Sequence, residues 1–396
     1  MANNKEKEIE SLLTWNVDGV IEKDNLRRLL LSGKKLQVKH GVDPTGDKIH
    51  IGRAVVLWKL REFQDLGHKI VLIIGDFTAQ IGDPSDKLAK RPFLTKEQIK
   101  KSLKNYLPQI GKVLDIKKVE VRYNSEWLSR LNFKEISELA DIFTAQQMIK
   151  RRNFAERWEK EEEISLREFF YPLMQGYDSV VVKADVEIGG TDQLFNLMAG
   201  RKIQEHYGQK PQSVMTTKML LGTDGRKMST SWGNVINIID SPTDQYGKIM
   251  AIKDELILEY LGLTTRLNAD DVKDLLQKLN SGTNPKIIKE RIAFEVVKLY
   301  HGEKASQKAG ENFTKIFSKK DLSVDLPSLR LKAEISVADL VLVSTVVSSK
   351  AQAWRLVEQG GFSLGGKVFK NPKEELSLKG GEVVKIGKKS FFKVVV

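Results

Sequence analysis

The chain contains no cysteine. That removes disulfides, thiolate nucleophiles and cysteine zinc sites together, and it fits a reducing compartment such as the cytoplasm. Histidine is scarce. The five, His40, His50, His68, His206 and His301, are scattered, and no pair has the spacing of a zinc-binding helix, so no protein-bound structural metal is expected. No apolar run approaches the roughly 20 residues that a spanning helix needs. The first ten residues, MANNKEKEIE, are polar and mixed in charge, so neither a secretory signal nor a membrane anchor is expected. A GxGxxG turn is missing after the first α/β strand, which argues against a dinucleotide-dependent dehydrogenase. There is no internal repeat and no low-complexity tract.

What is present is an ordinary globular composition. With 396 residues, 41% apolar and 30% charged, two or three domains with buried cores are expected. The net charge of +13 makes nucleic acid a candidate partner, because clustered Lys and Arg displace the counterions condensed on phosphates. The excess is uneven. From Arg330 to the end there are 12 Lys and Arg against 6 Asp and Glu, so about a sixth of the chain carries nearly half of the excess.

The periodicity predicts helix over residues 1–32, stopping at Gly33. KLQVKHGVD reads as a strand, Arg53 to Leu66 as an amphipathic helix closed by Gly67, and HKIVLIIGDF as a strand buried on both faces. This is a strand, helix and parallel strand. LTKEQIKKSLKNYLPQIGKVL has a Thr95 cap and helical spacing, and VEVRYN follows as a strand. Residues 125–170 read as charged helix, with ERWEKEEEISLREFF a solvated face. SVVVKADVEIGGTDQLFN reads as strand, Gly-Gly turn and helix start. Strands and helices alternate to about Asn237, giving an α/β domain with a parallel sheet. Residues 240–325 read as helices, KKDLSVDLPSLRLKAE as a linker, and the remainder as a small α+β module.

Two stretches suit phosphate chemistry. In DPTGDKIHIGR, a helix N-terminus follows a strand, and its free N–H groups and positive dipole end favour an anion. Gly52 lets a flat group lie on the backbone there, and His50 and Thr45 can donate to phosphoryl oxygens. In GTDGRKMSTSWGN, residues 222–234, glycines, Arg226, Lys227 and the three consecutive hydroxyls of Ser229, Thr230 and Ser231 suit charge that builds only in a transition state.

HIGR and KMSTS together resemble the HIGH and KMSKS signatures of class I aminoacyl-tRNA synthetases. GVDPTGDKIHIGR, IGDPSDKLAKR, YPLMQGYD, IGGTDQLFN and GRKMSTSWGN, in that order, resemble the bacterial tyrosyl-tRNA synthetases. The final SSKAQAWRLVEQGGFSLGGKVF and GEVVKIGKKSFFKVV resemble an S4 RNA-binding module, so the likeness covers essentially the whole chain. It implies a Rossmann-like α/β catalytic domain over 1–238 with a helical insertion at 125–170, an α-helical tRNA-binding domain over 239–325, and a linker with an S4-like α+β domain over 326–396. It implies joining of tyrosine to AMP, release of pyrophosphate, and transfer of the tyrosyl group to the 3′ end of tRNA(Tyr). ATP with magnesium, tyrosine, a homodimer and a cytoplasmic location are implied with it.

By the same resemblance, Thr45 and His50 meet the phosphates, while Lys87, Arg91 and Lys227 gather around pyrophosphate, with Thr230 and Ser231 in the same catalytic loop. Gly52, Arg53, Asp192 and Met228 line the ATP site, with Asp192 on the ribose and Asp43 in the pocket by position. Asp83, Tyr171 and Gln175 hold the substrate ammonium, Asp178 accepts the phenolic hydroxyl, and Gln193 lies by the carboxylate. Tyr171, Gln175 and Asp178, at intervals of four and three, share one helix face. Lys350, Arg355, Lys388 and Lys389 are expected on tRNA phosphates, which position without reading sequence.

Four positions depart from the family pattern. Arg53 replaces the last signature histidine, and Thr230 the second signature lysine. Lys39 stands where many tyrosyl enzymes have a tyrosine that bonds the phenol; it either pairs with Asp178 or points away. His40, next to it, is either a ribose contact or a bystander. The alternatives are a tryptophanyl enzyme, disfavoured by Asp178 and the S4-like tail, and a non-catalytic RNA-binding paralogue.

Overall fold

The computed structural model describes residues 2–44, 46–83, 95–229, 232–318, 326, 328–344, 346–347, 349–387 and 390–396. The chain divides into two units, Met1–Met219 and Leu220–Val396.

In the first unit the order is α1 (Ala2–Thr14), β1 (Val17–Ile21), α2 (Lys23–Leu31), β2 (Gln37–Val42), α3 (Ile51–Asp65), β3 (Lys69–Ile74), α4 (Thr78–Ile81), α5 (Lys96–Ile110) and β4 (Val119–Tyr123). Then come α6 (Ser125–Leu128), α7 (Phe133–Asp141), α8 (Ala145–Ile149), α9 (Arg152–Glu159), α10 (Leu166–Val181), β5 (Val186–Gly190), α11 (Leu194–His206) and β6 (Ser213–Thr217). The strands form a six-stranded sheet in the order β1-β6-β5-β2-β3-β4. Every pairing is parallel except β1 with β6. Ile70 to Ile74 of β3 are at most 1% exposed, as expected for a strand covered on both faces; each such side chain contributes about 1.5–3 kcal/mol.

The α/β class and parallel sheet match the sequence expectation. Several local expectations do not: within ERWEKEEEISLREFF, expected as a solvated face, Arg157 and Glu168 are buried and paired at 2.6 Å. Residues 1–32 are not one helical stretch, because β1 interrupts them. Its flanking turns use Asn16 (φ 59°) and Glu22 (φ 63°) in the left-handed region, so no glycine marks them in the sequence. SVVVKADVEIGG is not one strand either. Ser179 to Val181 finish α10, and Lys183 (φ 48°) makes the left-handed turn that glycine usually makes. Thr95 caps α5 as expected, in a reciprocal capping box with Gln98.

The strand order reverses between β5 and β2. From β2 the chain proceeds to β3 and β4 on one side, and from β5 to β6 on the other. The carboxyl ends of β2 and β5 therefore flank a topological switch point, where open α/β sheets form a crevice.

The second unit opens with a loop, described over residues 220–229 and 232–240, followed by α12 (Pro242–Met250), α13 (Ile257–Thr264), α14 (Ala269–Asn280), α15 (Pro285–His301) and α16 (Glu303–Ser318). A short strand, β7 (Ser328–Arg330), falls inside the stretch expected as linker, and a second, β8 (Glu334–Ser336), begins at its last residue. They precede α17 (Val337–Val343), α18 (Lys350–Glu358), β9 (Phe362–Leu364), β10 (Lys367–Phe369), β11 (Glu375–Ser377), β12 (Val383–Ile386) and β13 (Ser390–Val395). Val337, Leu340, Val357, Phe362, Val384 and Ile386, all 0% exposed, belong to a core of this C-terminal part.

Candidate active site

The residues just past β2, β3 and β5 meet at the switch point. Asp43 follows β2. Its Oδ1 accepts from the Thr78 hydroxyl at 2.8 Å and its Oδ2 from the Tyr171 hydroxyl at 2.9 Å. Gly75, at the end of β3, makes this possible: a Cβ there would lie 1.9 Å from Asp43 Oδ1 and 2.3 Å from Thr78 Oγ1. Tyr171 is buried, and burial together with the Asp43 and Asp83 carboxylates pushes its hydroxyl well above the usual phenol range. It therefore stays protonated, donates to Asp43, and keeps lone pairs to accept from a cation.

Asp83 is tied to the other wall. Gln193, in the turn Thr191–Gln193 after β5, donates to Asp83 Oδ2 at 2.7 Å. Asn196 donates to Gln193 Oε1 at 3.0 Å, and Arg151 donates to Asn196 Oδ1 at 3.0 Å. The Arg151 guanidinium sits 4.5 Å from the Phe195 ring centre. Asp192 is half-buried in the same turn.

Asp178 lies two helical turns beyond Tyr171 on α10 and is 3% exposed. The Trp127 indole donates to its Oδ1 at 2.8 Å, and Asn124 approaches its Oδ2 at 3.5 Å. Burial pushes its carboxyl up to about 7, against the opposing pull of the Lys39 ammonium and these two donors. A carboxyl poised there can accept a phenolic proton in a hydrogen bond.

Lys39 does not pair with Asp178. It pairs with Glu187 at 2.9 Å, in the interior, because the β2–β5 register sets the two residues opposite each other. Gln175 donates to the same Glu187 carboxylate at 3.2 Å. His40 bonds the Ile188 carbonyl through Nδ1 at 2.8 Å, and burial lowers its pKa. The ring is thus neutral with the proton on Nδ1, and this bond anchors it to β5.

At the start of the helix that follows β2, His50 caps α3. Its Nδ1 accepts from the Arg53 N–H at 3.3 Å, which leaves the proton on Nε2 as a donor. Gly52 is half-buried in the first turn. Arg53 donates to the Tyr106 hydroxyl of α5.

In the second unit, Lys227 and Met228 belong to a tightly held loop. Asn234 accepts from Ser229 N–H at 2.8 Å and donates to Asp224 at 2.8 Å and to the Lys227 carbonyl at 3.1 Å. The Arg226 guanidinium is committed to Asp224 at 2.6 Å, and Arg226 and Asn234 hold that carboxyl at about 2 despite burial. Met228 is buried. Lys350 and Arg355 are exposed on α18, and Lys350 pairs with Asp339 at 3.5 Å. Thr45, Lys87, Arg91, Thr230, Ser231, Lys388 and Lys389 lie outside the described residues.

Thr78, Asn124, Trp127, Arg151, Glu187 and Asn196 complete the crevice and were not anticipated. Only Glu187 carried a sequence signal, a charge inside the otherwise apolar VEIGG.

Comparison with known proteins shows the family. Residues 31–318 match the family of class I tRNA synthetases for W and Y. A tyrosine–tRNA ligase of Thermotoga maritima is 45% identical over 98% of this chain and 97% of its own. One from Dehalococcoides mccartyi is 43% identical over 99% of this chain and 100% of its own. The crystal structure of tyrosyl-tRNA synthetase from Archaeoglobus fulgidus complexed with L-tyrosine superposes with a TM-score of 0.63 at 25% identity, covering 77% of this chain and 99% of that one. With its crevice at the switch point and relatives of this kind along nearly its whole length, the chain belongs to the tyrosine–tRNA ligases of the class I aminoacyl-tRNA synthetases.

Proposed function

We propose that the crevice activates tyrosine with ATP and that the tyrosyl group then passes to the 3′ end of tRNA(Tyr). In the first step a tyrosine carboxylate oxygen bonds to the α-phosphorus. The bond from that phosphorus to the bridging oxygen breaks, and pyrophosphate leaves with the electron pair. The nucleophile is already an anion, so no general base is required. Positioning and charge stabilisation supply the rate.

The observation that carries this reading is the pairing of two differently tuned groups on α10. Tyr171, kept protonated beside Asp43 and Asp83, suits an ammonium. Asp178, buried with its own donors, suits a phenol. Phenylalanine would leave Asp178 unmatched, which disfavours it strongly. Gln175 joins Asp83 and Tyr171 at the amine, and Gln193 stands at the carboxylate. His50 Nε2–H and the free N–H groups of α3 meet the phosphates, Gly52 clears room for adenosine, and Asp192 takes the ribose. Thr45, Lys87, Arg91, Lys227, Thr230 and Ser231 are assigned to the phosphates, and Arg53 and Met228 to the ATP site, by family likeness. Magnesium arrives on the ATP phosphates; among the described residues no group of three His, Asp or Glu is placed to hold an ion.

Lys350, Arg355, Lys388 and Lys389 are assigned to tRNA phosphates in an S4-like tail. The domain limits proposed are 1–238, 239–325 and 326–396. A homodimer is supported by exposed Phe133, Trp158 and Leu166 in the helical insertion, at 85%, 63% and 74% exposure. A cytoplasmic location fits the lack of cysteine, and no described helix is long and apolar enough to cross a membrane.

The test is ATP–pyrophosphate exchange with tyrosine, tryptophan and phenylalanine separately. Exchange with tyrosine alone is expected. Exchange with tryptophan would move the chain to the sister enzyme, and none with any, from folded protein that binds tRNA, would overturn the catalytic reading.

A further inference from the structure

Beneath the amine end of the crevice lies a sealed polar cluster that the activation chemistry does not itself use. Lys39 Nζ has three protons and three acceptors: the Gln175 carbonyl at 2.7 Å, Ser179 Oγ at 2.8 Å and Glu187 Oε1 at 2.9 Å. The Lys39 and Glu187 side chains are 0% and 1% exposed. Glu187 is equally saturated. Its Oε1 also accepts from Gln175 Nε2 at 3.2 Å, and its Oε2 from Ser179 at 3.1 Å and from Gln212. Gly200 of α11 closes the cluster, since a Cβ there would meet Gln212 Nε2 at 2.6 Å and Ser179 Oγ at 2.9 Å.

An ionised carboxylate only accepts hydrogen bonds. A glutamine amide, by contrast, can present either its oxygen or its nitrogen, and in an open cleft the two are close in energy. Because Glu187 takes the Gln175 Nε2 end, Gln175 is left with Oε1 on the other side of the same planar group. Gln175 is half-buried on the face of α10 that it shares with Tyr171 and Asp178, while its Nε2 partner is in the interior. Lys39 serves two ends here. It pairs with Glu187 in a dry site, and it grips the carbonyl of the same Gln175 whose side chain Glu187 orients.

We propose that the Lys39–Glu187 pair is a positioning device that fixes the polarity of Gln175, making it an acceptor for the substrate ammonium and excluding the flipped amide that would donate to a carboxylate. This rests on the tyrosine reading above and assigns to Lys39 a task different from contact with the phenol. The pair touches no reacting atom.

The experiment uses the full chain and three ligands: tyrosine, tyrosinol (ammonium but no carboxylate) and 3-(4-hydroxyphenyl)propionate (carboxylate but no ammonium). Removing one partner would strand a buried charge, so the variant is Lys39→Met with Glu187→Met, which removes both. Dissociation constants are read by calorimetry on protein shown to be folded by its melting transition. Tyrosine and tyrosinol are expected to weaken about tenfold, the loss of a charge-assisted bond, while the propionate holds or tightens. Equal weakening of all three would reveal a merely structural role and overturn the proposal, as would no change in any. If that double variant does not fold, Lys39→Met with Glu187→Gln, which also removes both charges and keeps the volume at 187, is read by the same ratio. Failure of wild-type protein to bind tyrosine would count against the tyrosine reading itself, not against the positioning.

Discussion

Asp178 stores a measurable conflict between stability and recognition. Its carboxyl stands at about 7 in the folded protein against an ordinary value of 3.8. Below pH ~4 it is protonated in both states and costs nothing. Between pH ~4 and ~7 the unfolded chain releases the proton while the folded protein keeps it, so stability falls as pH rises, and above ~7 the full penalty persists. A difference of about 3 units at 1.36 kcal/mol each is a penalty of about 4 kcal/mol. The penalty already reaches about 2 kcal/mol at pH ~5.5. Asp178→Asn imitates the neutral acid and still accepts from Trp127, but sets a second amide against Asn124, a loss of about 1 kcal/mol. The variant is therefore expected to be more stable than wild type by roughly 2–3 kcal/mol at pH ~8, with an advantage about 2 kcal/mol smaller at pH ~5.5. For a unit of this size that corresponds to a melting rise of roughly 4–12 °C at the higher pH. Melting followed by tryptophan fluorescence at the two pH values, wild type beside variant, measures it. An advantage that is flat or shrinks as pH rises would refute the reasoning. The same variant should lose tyrosine-dependent exchange by about 100-fold or more, a trade of function for stability seen where active sites hold strained charge.

The remaining expectations concern single side chains. His50→Ala should cost about 1 kcal/mol as a lost helix cap and lower pyrophosphate exchange about 100-fold; His50→Asn should restore the melting temperature but not the exchange. Gly75→Ala should drive Asp43 away from Tyr171, raising KM for tyrosine about tenfold and destabilising by about 1–3 kcal/mol through overpacking. Lys350→Ala and Arg355→Ala should each weaken tRNA binding and flatten its log–log salt dependence by about 0.7–0.9; unchanged slopes would take α18 off the tRNA.

Local patterns in the sequence revealed most of the sheet. β3 announces itself as six residues nearly all apolar, and α5 by Thr95 and Gln98. The elements that escaped did so because their ends use unmarked residues. Asn16, Glu22 and Lys183 adopt left-handed backbone with no glycine to signal it, so β1 and the true end of α10 were hidden. The site divides in the same way. His50, Tyr171, Gln175 and Asp178 sit in contiguous motifs, so they could be named as candidates from local sequence. Trp127 and Arg151 enter from the helical insertion, and Glu187 becomes meaningful only through its register with Lys39. Such partners depend on which strands and helices become neighbours, and no local spacing encodes that.

If Tyr171 and Asp178 hold the two ends of the substrate as proposed, they also bear on how readily this pocket could be retuned. They are seven residues apart on one continuous helix, a separation of roughly 10 Å along its axis. The helix acts as a ruler with fixed marks at both ends, held down by Gly176, where a Cβ would come within 2.6 Å of Ile203. Sliding or bending it to admit a shorter or longer amino acid would displace both marks at once. A changed substrate is therefore more readily reached by altering what meets Asp178 from the side, at Trp127 and Asn124, than by moving the scale itself.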